Sequence, residues 1–484
     1  MKNYLFVLLL ALIIIPNIAF CEDPPTIAWV KTYDQGLDAD DWGEDIAIDA
    51  DGNVYVTGNV WRYGYNYSWV TIKYDADGNM LWYKLYDSGN GEDMPCAVEV
   101  DNNGNVYVVG YSEDNTIHDW RYIKYDADGN LLWDKTRDWG DDVDQRCYDA
   151  VLDTIGGYLY MIGEYIGNDG TLDYLTVKCD LDGNYIGENG WTGGSVQYNS
   201  GRSIALYQEG TIWYVYVTGI FGSSGLSWAT IKYTANLSLE WSTVHNSGSD
   251  DHIPASGSIA VDYAGNAIVC GWSINTTSDW QIVKYNSEGN IFWSKVVDTG
   301  NDEGAWGVAV DPDGYIYVTG DFDTGAGWDC RTIKYDTNGN AQWYVAYDGG
   351  SNYDDAGRGV VVDDSGFVYV VGHSNNGNNI DYLTIKYAQQ TGVEEQTPVV
   401  HSSYLNLQAV SNPTALPKFR YSLPSEKEGN LFFYYADGRK IEEFTLDPSN
   451  STFTWNANRL PCGIYFARLV SDNHSVCTKI CLTR

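Results

Sequence analysis

The chain has 484 residues and a formal net charge of −38, from 66 Asp and Glu against 28 Lys and Arg. A field of that sign repels nucleic acid and anionic lipid, which bind through basic patches, and favours cations or cationic partners. The nine cysteines stand without C-x-x-C pairs or metal-ligand spacing, so they supply neither a zinc site nor a readable disulfide framework.

Residues 1–21 read as a secretory signal: Lys2, the apolar run Leu5 to Ile15, then small residues near Ala19 and Cys21. The run is too short for a membrane span. No second apolar stretch follows, so export without a transmembrane segment in the mature chain is expected.

A strand at Ile27 to Asp34 comes next, and then seven copies of one pattern about 52 residues apart, ending at Tyr387. In the second copy, Ala97 to Asp101 predicts a first strand and Asn102 to Asn105 its turn. Val106 to Gly110 predicts a second strand, and Tyr111 to Asp119 a longer loop. Tyr122 to Tyr125 predicts a third strand, Asp126 to Asn130 a turn, and Leu131 to Arg137 a fourth strand centred on Trp133. Asp and Asn start such turns through their own side chains, and Gly takes the positive φ that closes them. A glycine recurs at Gly58, Gly110, Gly163, Gly219, Gly271, Gly320 and Gly372. A lysine recurs at Lys73, Lys124, Lys178, Lys232, Lys284, Lys334 and Lys386. Mid-strand beside Ile and Tyr, each lysine is expected between neighbouring sheets, with a carboxylate partner.

A four-strand unit at a fixed period of this size predicts an all-β fold, a β-propeller over residues 22–388. The fourth-strand Trp appears six times (Trp82, Trp133, Trp191, Trp241, Trp293, Trp343) where the other strands appear seven times. The missing copy is the N-terminal one, since Ala28-Trp29-Val30-Lys31 matches Leu81-Trp82-Tyr83-Lys84. Seven blades, with the N-terminal strand completing the last, is therefore the expectation, and it covers an edge otherwise open to pairing. The D-x-x-G-N-x-Y-V-x-G and I-K-Y-D-x-x-G-N-x-x-W stretches resemble the bacterial SBBP repeat family over roughly residues 27–387. That resemblance implies an architecture and no particular reaction.

Residues 389–402 read as a linker around Thr391-Gly392-Val393-Glu394-Glu395. Residues 403–484 alternate as a separate small β-domain. Ser411-Asn412-Pro413, Phe419 to Pro424, Tyr435 to Lys440, Gly463 to Leu469 and Lys479 to Leu482 resemble the C-terminal sorting domain of the type IX secretion system. The resemblance implies an Ig-like β-sandwich, contact with secretion machinery, and a secreted or cell-surface destination.

The loops joining fourth to first strands are acidic in nearly every unit, and they are the candidate ligand-binding face. They carry Asp40, Asp41 and Glu44; Glu92 and Asp93; Asp141, Asp142 and Asp144; Asp250 and Asp251; Asp302 and Glu303; Asp354 and Asp355. Second-to-third loops on the same face add Trp61, Arg62, His118, Trp272, Trp328 and His373. Loops on a rigid scaffold are where binding concentrates. Acids beside aromatic rings suit an extracellular protein, a carbohydrate or a cation, and Ca²⁺ is the candidate ion for oxygen-only ligands. The D-x-D-G-N turns are read as turns, because a strand starts before a calcium loop could finish.

No H-E-x-x-H, G-x-S-x-G or P-loop motif is present. No catalytic residue and no required cofactor emerge. The expected function is a non-catalytic, monomeric binding module. The alternative is a secreted carbohydrate-active hydrolase or lyase using the acidic face, which needs two placed carboxylates.

Overall fold

In the D-x-x-G-N turns a single Asp organises the chain. Asp49 accepts from the backbone N–H of Asp51 (3.0 Å) and Asn53 (2.9 Å), from the Asn53 amide (2.8 Å) and from the Tyr55 hydroxyl (2.9 Å). Gly52 closes the turn at φ 78°. Asp75, Asp126, Asp180 and Asp336 repeat the pattern between third and fourth strands. The turn carboxylates are thus engaged in shaping hairpins.

The computed structural model describes residues 22, 24–36, 39–62, 66–89, 91–114, 117–139, 144–166, 170–193, 198–222, 226–350 and 353–389, and, in the C-terminal region, 406–409, 417–423, 429–435, 440–447, 452–457, 459–460, 463–471 and 474–482. The proposed signal, Cys21, the linker core, and Asp141 and Asp142 lie outside them. The chain divides into two compact units, residues 1–390 and 391–484. Described residues are strand, turn or coil throughout, with no helix.

In the larger unit each repeat is an antiparallel sheet in sequential strand order, as in Asp41–Ile48, Val54–Arg62, Asn66–Tyr74 and Met80–Tyr86. The sheets of the third and fourth repeats are joined by a single parallel bridge, Leu172 to Tyr198. In the fifth repeat the first strand is split into Asp250–His252 and Ile259–Val261. The N-terminal strand Thr26–Tyr33 pairs antiparallel with Ile380–Ala388, placing Trp29 opposite Lys386. It occupies the fourth-strand position of the last repeat.

In the larger unit each core cluster lies between two neighbouring repeats. One joins Tyr55 and Trp69 to Val108 and Ile123, and another joins Val56 and Ile72 to Tyr369 and Tyr382, linking last repeat to first. Trp69, Trp120, Trp228, Trp280 and Trp343 are fully buried there. Loss of such a ring typically costs about 3–5 kcal/mol.

The recurring lysine is a latch between repeats. Lys73 donates to Ala127 O (3.3 Å), Lys124 to Leu181 O (3.2 Å), Lys178 to Ala235 O (2.9 Å), and Lys386 to Ala76 O (3.0 Å) in the first repeat. Fourth-strand indoles reach the same carbonyls, Trp82 to Ala127 O (3.1 Å) and Trp29 to Ala76 O (3.2 Å). The sequence suggested carboxylate partners, but most partners are turn carbonyls of the next repeat. Among the described residues a carboxylate joins in only at Lys284, which meets Asp262 of its own repeat (2.8 Å) besides Thr337 O of the next (3.4 Å), and at Lys334, held by Glu22 (2.7 Å). A carbonyl satisfies the ammonium without burying a second charge, which is the less costly arrangement.

The loop expected at Tyr111 to Asp119 is largely hairpin. The ladder continues to the pair Asp114–Ile117, because Tyr111 pairs with Trp120 and holds the two strands together beyond Gly110. Cys96, Cys147, Cys179, Cys270 and Cys330 are buried free thiols on strands.

The smaller unit has two antiparallel sheets, one holding Asn406–Ala409, Lys418–Ser422 and Thr452–Thr454, the other Lys440–Leu446, Gly429–Tyr435, Gly463–Ser471 and His474–Leu482. They share one core in which Phe433 stacks on Trp455 at 4.0 Å.

Candidate functional site

The acidic pairs divide their labour. The first acid of a pair reaches back to the preceding repeat: Asp40 accepts from Ile380 N–H (3.0 Å), Asp250 from Leu226 (3.1 Å), Asp302 from Ser278 (2.7 Å) and Asp354 from Trp328 (3.2 Å). Asp144 does the same with His118 N–H (3.0 Å), and its carboxylate also meets the His118 ring (3.1 Å). The second acid folds its own loop. Asp41 accepts from Gln35 N–H (2.9 Å), Asp93 from Ser88 (2.7 Å), Asp251 from Ser247 (2.9 Å), Glu303 from Thr299 (3.3 Å) and Asp355 from Gly349 (2.7 Å). All five are buried, and burial raises Asp41 to about 6. Glu92 lies 3.9 Å from the His118 ring. The described rim carboxylates are therefore distributed around the loops they brace. Among the described residues no group of three or more His, Cys, Asp or Glu is placed to hold a metal.

The recurring strand-two glycine builds a different feature. A Cβ on Gly58 would stand 2.0 Å from Trp42 O, on Gly110 2.0 Å from Met94 O, and on Gly372 1.9 Å from Ala356 O. In six of the seven repeats the first strand presses this close because it carries a bulge opposite the glycine; in the fifth, opposite Gly271, it is split instead. Register slips between Gly43 and Asp45, Pro95 and Ala97, Cys147 and Asp149, Gly201 and Ser203, Ala305 and Gly307, and Gly357 and Gly359. The extra residues are Glu44, Cys96, Tyr148, Arg202, Trp306 and Arg358. Bulges re-aim side chains. First strands of successive repeats touch one another all the way from first to last and back to the first, so the bulges ring the mouth of a central channel.

These side chains meet across repeats. The Arg202 guanidinium lies 4.1 Å from the Tyr148 ring centroid. The Tyr148 hydroxyl donates to Glu164 (2.9 Å), which also accepts from Ser200 (2.5 Å). Arg358 lies 3.5 Å from the Trp306 ring. Trp306 donates to Asp321 (3.0 Å) and contacts Trp272 (5.1 Å), which stacks on His252 (5.6 Å, 9°). Glu44 accepts from the Asn59 amide (3.1 Å). Burial raises Glu44 and Asp321, with Arg358 pulling both back down. Burial and the same guanidinium push His373 down to about 3, keeping its imidazole neutral.

Deeper in the channel, burial and the nearby Asp149 push Asp45 up to about 8. Asp149 itself is raised to about 6 by burial, against hydrogen bonds from Ser203 (2.6 Å) and Ile204 N–H (2.9 Å). Glu99 is raised well above the usual range, by burial first and then by Asp45 and Asp149. Glu99 also lines a 320 Å³ cavity with Ala47, Ile48, Val100, Ala309, Val310, Val361 and Val362, at the channel end beside the short turns. Folded Asp45 keeps its proton to about 8 and an unperturbed Asp loses it at 3.8. Between those values the folded state binds more protons, so stability falls as pH rises through the window. Asp45→Asn keeps the acceptor for Val98 N–H (2.8 Å) and removes the charge. Its melting temperature relative to wild type should climb from pH 4 to pH 8; a difference that is flat with pH would refute the burial reading.

Glu44 belonged to the predicted acidic set, and Trp272 and His373 to the predicted loops. Tyr148, Arg202, Trp306 and Arg358 were missed. Their signal is a repeat position where the units carry chemically unlike residues inside otherwise uniform strands.

A β-propeller repeat family model, SBBP, matches residues 36–60 and 344–381. Among solved structures, the β-propeller domain of the Trilobed protease from Pyrococcus furiosus is similar at 10% identity, covering 74% of this chain and 99% of that one, TM-score 0.42. A puromycin hydrolase is similar at 13% identity, 79% and 59% coverage, TM-score 0.46. Chaetomium thermophilum Sqt1 is similar at 10% identity, 75% and 98% coverage, TM-score 0.44. No curated protein matches the chain. Sequential antiparallel sheets, cores between neighbouring repeats and the repeat-family match together make this chain a β-propeller repeat protein.

Proposed function

We propose that this chain is an exported seven-bladed propeller that binds an extracellular ligand at its channel mouth without catalysis. One four-strand unit per repeat, with Thr26–Tyr33 completing the last, supports a count of seven blades. The observation that carries the binding reading is the bulge ring, where one repeat position delivers Glu44, Cys96, Tyr148, Arg202, Trp306 and Arg358 to one place. A purely structural position would carry like residues, as the lysine and glycine positions do. The hydrolase or lyase alternative is weakened because the rim carboxylates each brace a loop through at least one backbone hydrogen bond and are spread around the rim, not paired at one point.

The smaller unit is proposed to be an Ig-like sandwich that directs outer-membrane export after passage led by residues 1–21. Its two-sheet core and the stretches Phe419 to Ser422 and Gly463 to Leu469 support that reading. Deleting residues 403–484 should leave the propeller in the periplasm; its arrival at the cell surface regardless would refute the sorting role.

The binding reading is tested by a glycan and peptide array on the full chain, with a Ca²⁺ arm. Captured ligand should be lost in Arg202→Ala or Trp306→Ala and retained when the outward acids Asp250 and Asp354 become Asn. Loss in the rim variants with retention in the mouth variants would return the site to the acidic loops.

A further inference from the structure

We infer that the Arg358 corner of the channel mouth is a receptor for the carboxylate of an acidic saccharide, a uronate residue. This rests on the channel mouth being the ligand site.

Arg358 is half-buried, and no carboxylate or carbonyl among the described residues accepts from its guanidinium. Its Nε is fully shielded from solvent and unpartnered. Leaving such a group unmade is costly, and charge-assisted bonds are the strong ones. The guanidinium carbon sits 3.5 Å from the Trp306 ring centroid, and Trp306 is itself pinned by Asp321 at 3.0 Å. An arginine held over an indole is a preorganised fork for a planar carboxylate. Glu44 and Asp321 are within its electrostatic reach without bonding to it. Both are held by other donors, Asn59 and Trp306. The buried His373 Nδ1 also lacks a partner.

The surroundings select the kind of carboxylate. Glu44 and Asp321 offer acceptor oxygens, which suit hydroxyl donors and repel a second negative charge. A uronate brings one carboxylate and several hydroxyls on one ring. An acidic peptide brings further anionic or backbone acceptors to the same place. The overall negative charge works against approach, but exposed charges are screened beyond about 8 Å at physiological salt. The Arg358 contact lies within that distance and out of bulk water. Moderate salt should therefore weaken binding little or strengthen it.

The test is calorimetry on the full chain with trigalacturonate, neutral trigalactose and a tri-glutamate peptide. Trigalacturonate should bind at least about tenfold more tightly than the neutral sugar, since one bidentate charged contact is worth that much. Arg358→Lys should lose about tenfold or more, because an ammonium cannot replace the fork, while the melting temperature stays near wild type. Ligand-observed NMR on the unmodified protein, with competition between the sugars, reads the same preference without any variant. Equal binding of both sugars, lost in Trp306→Ala, would keep the mouth as a site and overturn the carboxylate receptor. Trigalacturonate binding unchanged in Arg358→Lys overturns the assignment, as does binding of the peptide alone. If none of the three binds, the uronate proposal falls, and the array result on Arg202 and Trp306 decides the wider reading separately.

Discussion

Gly320→Ala should destabilise the larger unit by more than about 4 kcal/mol, among the heaviest costs of any single substitution. The added Cβ would stand 1.9 Å from Gly304 O and 2.8 Å from the Trp280 ring. Neither neighbour can retreat, since one is backbone in the bulge and the other is a fully buried indole in the core between repeats. Gly325 is the control. It sits at φ 78° with nothing within 4 Å of a Cβ, so Gly325→Ala meets only left-handed backbone strain of about 1–2 kcal/mol. Urea denaturation of both variants separates space from conformation; equal losses would mean that the bulge yields easily and does not depend on the glycine.

Removing residues 22–35 should produce the second large effect. The deletion takes away Thr26–Tyr33 and leaves Ile380–Ala388 as an open edge. It also uncovers Gly78, against which Trp29 and Lys31 pack, and removes the Glu22 partner of Lys334. An unpaired edge of that length is a template for association. A loss of several kcal/mol is expected from one strand and its half-buried Trp. Thermal melting with light scattering should show a lower transition and aggregation. An unchanged melt and a monodisperse sample would mean that the N-terminal strand clasps nothing.

Much of this fold was legible because the repeat writes the same physical problem many times. The Asp and Gly of each turn, the strand-two glycine and the strand-three lysine are read off at once, and the absent fourth-strand Trp points to Trp29. Legibility failed where a residue's partner lies in another repeat. Lys124 was expected to meet a carboxylate and instead donates to Leu181 O, a main-chain atom with no signature in sequence. The rim acids read as a charged face. Asp251 and Asp355, however, are buried and accept from backbone N–H groups of their own loops. Arg202 and Arg358 are hidden in the sequence because a bulge breaks the strict alternation that tells inward from outward. The glycine opposite is the clue, and its meaning depends on a carbonyl 16 to 19 residues away across the hairpin.

The central claim, a ligand site at the bulge ring, is tested most directly by hydrogen–deuterium exchange on the full chain with and without saturating trigalacturonate. Added protection should appear in peptides spanning Gly304 to Gly307 and Ala356 to Gly359, with the rim segments at Asp250 and Asp302 unchanged. Protection confined to those rim segments, or to the smaller unit, would contradict the account.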